Sequence, residues 1–533
     1  MKIKKTFHSR KLSIAIAIVL SPISVYSQVT DLSTLDGTNG FVINGGDTAF
    51  EGSGYSVSSA GDINGDGIKD IVIGATAAKT PDGVQSGASY IIFGHDAPFN
   101  PSIDVDDING INGFVIYGAN SNDRFGHSAN SIGDINGDGI DDLMIGASLV
   151  DTGAVNAGAC YVLFGSNSEF PSSLDATSIV GDTGFVINGI AMDDRAGYAV
   201  SAAGDINGDG IDDMLIGVRM ANPNGNSSGA AYVVFGNNSV SGFPDSFSFS
   251  DLDGNNGFTL TSGDTSRTRF GVSVNFAGDV NDDQIDDMII GAGATGPNHS
   301  GSAYIVFGSA NTFPLLMNLT GLNGNNGFIL NGVAANNRAG YSVSSAGDVN
   351  GDDLDDIVVG AFGAGANGNY SGSSYIVFGQ STGFPASIEA ANLDGVNGFT
   401  LTGTNPEDQL GRSVSTAGDF NHDGIDDLII GANGFDADNK DKSGAAYLVF
   451  GNSSGFNSVI NASSLTGEQG RLLKGVAAGD EAGISANSAG DINNDGVDDI
   501  IIGAWRADPN GVNSAGSSYL VFGNDLVFKN GFE

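Results

Sequence analysis

The loop Asp-x-Asn-x-Asp-Gly-x-x-Asp, or a close variant of it, recurs seven times about 72 residues apart, beginning at Asp62, Asp134, Asp205, Asp279, Asp348, Asp419 and Asp491. Each copy runs straight into an apolar stretch ending in glycine, so the period belongs to a structural unit and not to the loop alone. A repeat of this kind has to be read before any domain count, because length alone would divide 533 residues into about three or four domains.

Within the second unit, residues 112–116 (NGFVI), 126–132, 143–146 (LMIG) and 158–165 (GACYVLFG) read as four short strands punctuated by Gly, Asn, Asp and Ser. No long helical period appears in the mature chain. Four antiparallel strands repeated seven times predict an all-β fold, a seven-bladed β-propeller of four-stranded blades, in which radial repetition leaves only short edges. The ends of the pattern predict how the ring closes. The first element after the leader, Leu35 to Phe41, is the unit's outer strand, and the last, Gly516 to Gly523, is its third strand. The N-terminal strand should complete the C-terminal blade. An open solenoid would need polar capping repeats, and none is visible.

The loops have the chemistry of a hard-cation site. Calcium takes six to eight oxygens, which alternating side chains on a tight loop can supply. The first, third, fifth and ninth positions would give side chains and the seventh its carbonyl: Asp62, Asn64, Asp66, Ile68 and Asp70; Asp134, Asn136, Asp138, Ile140 and Asp142; Asp205, Asn207, Asp209, Ile211 and Asp213; Asp279, Asn281, Asp283, Ile285 and Asp287; Asp348, Asn350, Asp352, Leu354 and Asp356; Asp419, Asn421, Asp423, Ile425 and Asp427; Asp491, Asn493, Asp495, Val497 and Asp499. Up to seven calcium ions are expected. An EF-hand needs Glu at position 12, where this chain has Ile or Val. An Asx-rich turn holding no metal is the structural alternative. Gln284 and Asp353 stand where the other loops have Gly, and the loop Asp279–Asp287 should bind most weakly.

Residues 1–27 read as a secretory signal: Lys2, Lys4, Lys5, Arg10 and Lys11, then an apolar stretch from Leu12 to Leu20 too short to span a bilayer. The expected layout is a signal at 1–27, the propeller at 28–523 and a tail at 524–533. A net charge of −42 argues against nucleic acid or an anionic membrane as partner. Cys160 is the single cysteine, so no internal disulfide can form; its place in the other units is taken by Ser or Ala, which points to a small buried side chain.

These residues together resemble the FG-GAP repeats of the integrin α-subunit N-terminal propeller and its bacterial relatives. Phe-Gly recurs at Phe93-Gly94, Phe164-Gly165, Phe235-Gly236, Phe307-Gly308, Phe378-Gly379, Phe450-Gly451 and Phe522-Gly523, and Gly-Ala at Gly74, Gly146, Gly291, Gly360, Gly431 and Gly503. Gly217-Val218 departs, and the usual proline after Gly-Ala is absent. The resemblance covers about residues 35–523. It implies an extracellular, calcium-binding propeller that mediates adhesion or ligand recognition.

In such a blade the aspartate turns share one face, and the entry turns share the other. On the second face Arg124, Arg195, Arg269 and Arg338 occupy matching positions, and the single tryptophan, Trp505, lies nearby. They are the candidate ligand residues; pairing of the arginines with neighbouring Asp is the structural alternative. Two Gly-x-Ser-x-Gly matches and two dinucleotide-type glycine spacings lack the helix each motif requires, and no nucleophile–base constellation is found. The expectation is therefore a monomeric, secreted or cell-surface recognition module for a protein or glycan, without a membrane span and not an enzyme. The alternative is an extracellular enzyme acting on polysaccharide or phosphoester.

Overall fold

A computed structural model describes residues 29–96, 98–238, 242–265, 267–296 and 298–523. The expected signal and the tail 524–533 lie outside these residues. Seven sheets form a seven-bladed β-propeller. The first blade runs outward from Ser53–Gly61 through Asp70–Ala75 and Ala88–Ile92 to Gly113–Tyr117, all antiparallel. A fifth strand of three residues, Ser173–Asp175, then pairs parallel to the fourth. Every blade carries this addition to the expected four. A three-residue strand with an exposed edge has too little apolar periodicity to be legible in sequence.

The second and third strands are buried along their whole length. Each sheet is covered on both faces by its neighbours, which is why DIVIGA and ASYII run without polar alternation. Outside them, the Phe of each Gly-Phe pair stacks on a Phe that follows the next unit's Phe-Gly, as in Phe41 on Phe99 (4.6 Å between centroids) and Phe328 on Phe384 (4.3 Å). In the sixth blade Arg471 takes this place, its guanidinium near the Phe420 and Phe450 rings.

The ring closes as the sequence predicts. Phe41 pairs with Leu520 and Val42 with Tyr519, so Gly40–Asn44 is the fourth strand of the last blade. Closure is also doubled: Val29–Asp31 pairs parallel with Leu472–Lys474 and supplies the fifth strand of the sixth blade.

Near the axis the blades touch backbone to backbone. Gly74 faces the carbonyl of Gly126, and the same contact joins Gly146 to Gly197, Gly217 to Gly271, Gly291 to Gly340, Gly360 to Gly411, Gly431 to Gly483 and Gly503 to Gly54. A Cβ on the first residue of any pair would sit 2.0–2.2 Å from that oxygen. Deeper in the channel, side chains hydrogen-bond around the axis. Ser415 donates to Asn487, Asn487 to Ser58 (3.1 Å), Ser58 to Asn130 (2.6 Å), Asn130 to Ser201 (3.4 Å), Ser201 to Asn275 (2.9 Å) and Asn275 to Ser344 (3.0 Å).

The glycine contact gives a clean comparison. Gly503→Ala should lower unfolding stability by roughly 2–3 kcal/mol, because overpacking here is against backbone that cannot move alone. Gly321→Ala, where no atom lies within 4 Å of the new Cβ, should change it by less than about 0.5 kcal/mol. Denaturant unfolding of the two variants checks this; equal effects would sink the account of the junctions.

Candidate functional site

All seven aspartate loops join an inner strand to a second strand and lie at one end of the ring. In the first loop Asp62 accepts from the amides of Asp66 (3.0 Å) and Gly67 (2.8 Å), Asn64 Oδ1 from Asp66 N (2.9 Å), and Asp66 Oδ1 from Ile68 N (2.9 Å). The ninth-position Asp70 is fully buried and accepts from Ile63 N (3.1 Å) and from Gly94 N (2.9 Å), the glycine of Phe-Gly. The amide of the Phe-Gly glycine makes the same bond in every blade, for example Gly165 to Asp142 and Gly523 to Asp499, each at 2.8 Å. This bond ties the two most recognisable motifs of the repeat to each other.

The eighth position carries a role that sequence spacing did not reveal. Asp141 Oδ2 accepts from the amide of Asp62 in the preceding blade (2.8 Å), and Asp212, Asp286, Asp355, Asp426 and Asp498 repeat the bond at 2.7–3.1 Å. At the closing junction Lys69 occupies the position and pairs instead with Asp141 (2.9 Å).

The donor set fits a hard divalent cation. The ninth-position carboxylates are pushed up to about 8 at Asp70, Asp142, Asp213, Asp356, Asp427 and Asp499, and well above the usual range at Asp287. Burial is the main cause, and the carboxylates at the fifth and first positions add to it. Asn136 Oδ1, Asn421 Oδ1 and Asp427 Oδ2 are buried without a hydrogen-bond partner. Orphaned oxygens beside crowded carboxylates are what a bound cation would satisfy. The residues that would hold it are those at the first, third, fifth, seventh and ninth positions. As they stand, these carboxylates are spread over the loop amides. Among the described residues no three Asp, Glu, His or Cys side chains converge at metal-holding spacing.

The backbone separates the copies. Gln284 (φ 67°) and Asp353 (φ 67°) are held in the left-handed region, as the missing glycines imply, and in the fourth loop Asp282 (φ 65°) is a second such residue. At the opposite end of the ring Arg124, Arg195, Arg269 and Arg338 share a left-handed conformation (φ 55–62°) in the entry turns. None of the four pairs with a carboxylate among the described residues. The acids next to two of them face inward: Asp123 caps Asn120 N (2.9 Å) and Asp194 caps Ala191 N (3.1 Å). Trp505 is packed edge-on to Tyr55 (5.8 Å), and its Nε1 donates to Glu481 (3.0 Å). Cys160 is buried, as its small-residue position implies, and burial pushes its thiol well up.

The FG-GAP repeat family matches residues 53–92, 127–163, 196–234, 339–377, 410–449 and 484–521. This chain is an FG-GAP repeat protein. The matched segments do not include the fourth blade, which forms the same five strands around its divergent loop. Among curated relatives, phosphatidylinositol-glycan-specific phospholipase D from Bos taurus is 34% identical over 190 residues, 35% of this chain and 21% of that protein. The protein of the same name from Dictyostelium discoideum is 26% identical over 317 residues, 56% of this chain and 31% of its own length. Integrin alpha-8 from Gallus gallus is 28% identical over 242 residues, 44% of this chain and 19% of that protein. The chain therefore spans a fifth to a third of the length of these relatives. The expectation that the protein is not an enzyme is corrected by these matches, because the phospholipase D relatives carry the name of an enzyme. The chain is similar both to integrin alpha chains and to proteins named as phospholipases, so missing helix-based motifs could not decide the question. No helix among the described residues is long and apolar enough to cross a membrane.

Two outcomes are expected of the loops. The ninth-position carboxylates other than Asp287 keep their protons in the fold up to about pH 8, whereas the unfolded chain loses them near pH 4. Between those values the unfolded state binds fewer protons, so raising pH destabilises the ion-free protein. Melting temperature in chelator should fall from pH 5 to pH 8; a rise over that window would contradict the burial argument. Gln284→Gly removes left-handed strain at some entropic cost and should raise stability by roughly 0.5–1 kcal/mol, measured by urea unfolding in chelator.

Proposed function

We propose that this chain is an exported recognition module whose loops take up calcium and whose opposite face binds a protein or a glycan at the cell surface or in the matrix. The observation that carries the reading is the division of labour between the two ends of the ring. One end gathers seven oxygen-rich loops. The other presents four arginines without carboxylate partners, beside the exposed apolar side chains of Phe50, Ile190, Met192 and Val333. Hydrophobic side chains and arginines on one face are the usual makings of an interface. The integrin relatives support an adhesive role.

The phospholipase D relatives favour a second reading, in which the propeller serves an enzyme acting on a phosphoester. Five relatives share that name, from Bos taurus, Dictyostelium discoideum, Rattus norvegicus, Homo sapiens and Mus musculus.

Calcium should raise the melting temperature and chelation should lower it, each occupied loop contributing about 2.7 kcal/mol at a hundredfold excess over Kd. The loop starting at Asp279 should be the last to fill in a calorimetric titration. An unmoved melting curve would overturn the calcium assignment. Capture on a glycan or protein array, without release of a phosphatidylinositol-glycan-anchored reporter, supports the recognition reading; release without capture supports the second.

A further inference from the structure

The end of the central channel opposite the aspartate loops is more basic and more aromatic than the sequence positions alone conveyed. A cavity of 220 Å³ is lined by the inner strands of all seven blades and includes Tyr55, His127, Tyr198, Tyr341 and Arg412. Arg219, from the turn after the second strand of the third blade, has its guanidinium carbon over the Tyr198 ring at 3.5 Å from the centroid. Arg412 lies over Tyr341 at 4.6 Å and near Phe362 at 5.4 Å, with Arg338 on the same Phe362 ring at 5.2 Å. His127 sits between Tyr55 and Tyr198, at 5.2 and 4.5 Å between centroids.

These groups feel one another across the opening. Burial, and then Arg219, Arg124 and Arg195, push His127 down to about 3. Tyr341 is half-buried, yet Arg412, which also hydrogen-bonds its hydroxyl, and then Arg219 and Arg338 hold it below its ordinary value. The Nε atoms of Arg195 and Arg219 are buried without a hydrogen-bond partner. Ion pairs among the described residues are confined to Lys69–Asp141, Lys474–Asp438 and Arg506–Glu481, so none of Arg124, Arg195, Arg219, Arg269, Arg338 and Arg412 is paired with a carboxylate. A cluster of guanidinium groups without carboxylate partners, two of them with an unused Nε donor, is a socket for an anion, and the planar fork suits a carboxylate.

We propose that the central mouth seats the carboxylate of a polypeptide partner, an acidic side chain inserted along the propeller axis. Arg219 and Arg412 would bind the anion, and Arg124, Arg195, Arg269 and Arg338 would form its rim. The inference deepens the recognition reading above and rests on it. Two observations select a compact anion on a peptide. The whole chain carries a net charge of −42, which repels a polyanion at long range while leaving room for one carboxylate in a local basic well. The blade-to-blade turns at the same end of the ring expose Phe50, Ile190, Met192 and Val333, which matches the hydrophobic flanks of a peptide better than the hydroxyl-covered surface of a sugar chain.

Trp505 gives the test a built-in reporter, because it is the single tryptophan and packs against Tyr55 at the mouth. The calcium-loaded protein is titrated with a short end-blocked peptide containing one glutamate between leucines. The matching glutamine peptide, a galacturonate oligomer and inorganic phosphate are titrated in parallel. The expected result is saturable change in tryptophan emission with the glutamate peptide, at least tenfold weaker with the glutamine peptide and at least tenfold weaker in Arg219→Gln/Arg412→Gln. Should that double variant fail to fold, the rim substitutions Arg195→Gln and Arg269→Gln should each weaken binding at least threefold. Equal binding of the two peptides, or binding indifferent to these arginines, would overturn the proposal. Arginine-dependent binding of galacturonate or phosphate in place of the peptide would overturn it as well. A calcium-dependent melting shift that persists while peptide binding is absent removes this inference and leaves the loop chemistry standing. Loss of the shift itself strikes the reading beneath.

Discussion

Everything in this molecule depends on how closely two blades approach at the axis. At each junction the backbone of a second strand meets the backbone of the next inner strand, with glycine on both sides. Removing Cβ atoms there lets the sheets come near enough to bury their second and third strands completely. The apolar area released from water by that burial is the main favourable term for a fold without disulfides. The Gly of Gly-Ala is therefore a distance constraint, and it fixes where every other part of the repeat must lie.

The acidic loops work on the same scale of contact. The ninth-position carboxylate reaches the Phe-Gly amide of its own blade, and the eighth reaches the loop of the blade before. Both bonds bring negative charge into a partly buried belt, in a chain already strongly acidic. Amide donors offset part of that cost, and the raised carboxylates show that they do not offset all of it. Two kinds of chemistry thus meet in one loop: hydrogen bonds that define the joint between blades, and surplus oxygen that fits a cation.

Much of this was legible in the residues. Seven Asp-rich loops in phase with seven Phe-Gly pairs gave the blade count, and the mismatch between the first and last elements gave the closure through Phe41 and Leu520. The fifth strand was not legible, because three exposed residues such as Ser102–Asp104 carry no usable alternation. The second role of Asp141 and its equivalents was hidden for another reason: a carboxylate in a metal-type loop reads as part of that loop, whereas its partner lies in the previous blade. The four entry-turn arginines could be aligned by position. Their convergence with Arg219 and Arg412 could not, since those two stand alone at their places in the repeat and meet only in the ring. Enzymatic kinship lay beyond reach, because the repeats are common to proteins of both kinds.

The segment from Val29 to Asn44 stitches two different blades, pairing with Leu472–Lys474 and then with Ser517–Val521. Those partners are the last parts of the ring to leave the ribosome. A growing chain must therefore carry this segment unpaired until almost all of the ring has been made, and meanwhile the blades already formed present an open edge. Such an edge invites pairing with another chain. Completion of the circle is thus a late, long-range event in assembly, and a nascent chain kept dilute or shielded until then has the better prospect of closing on itself and not on a neighbour.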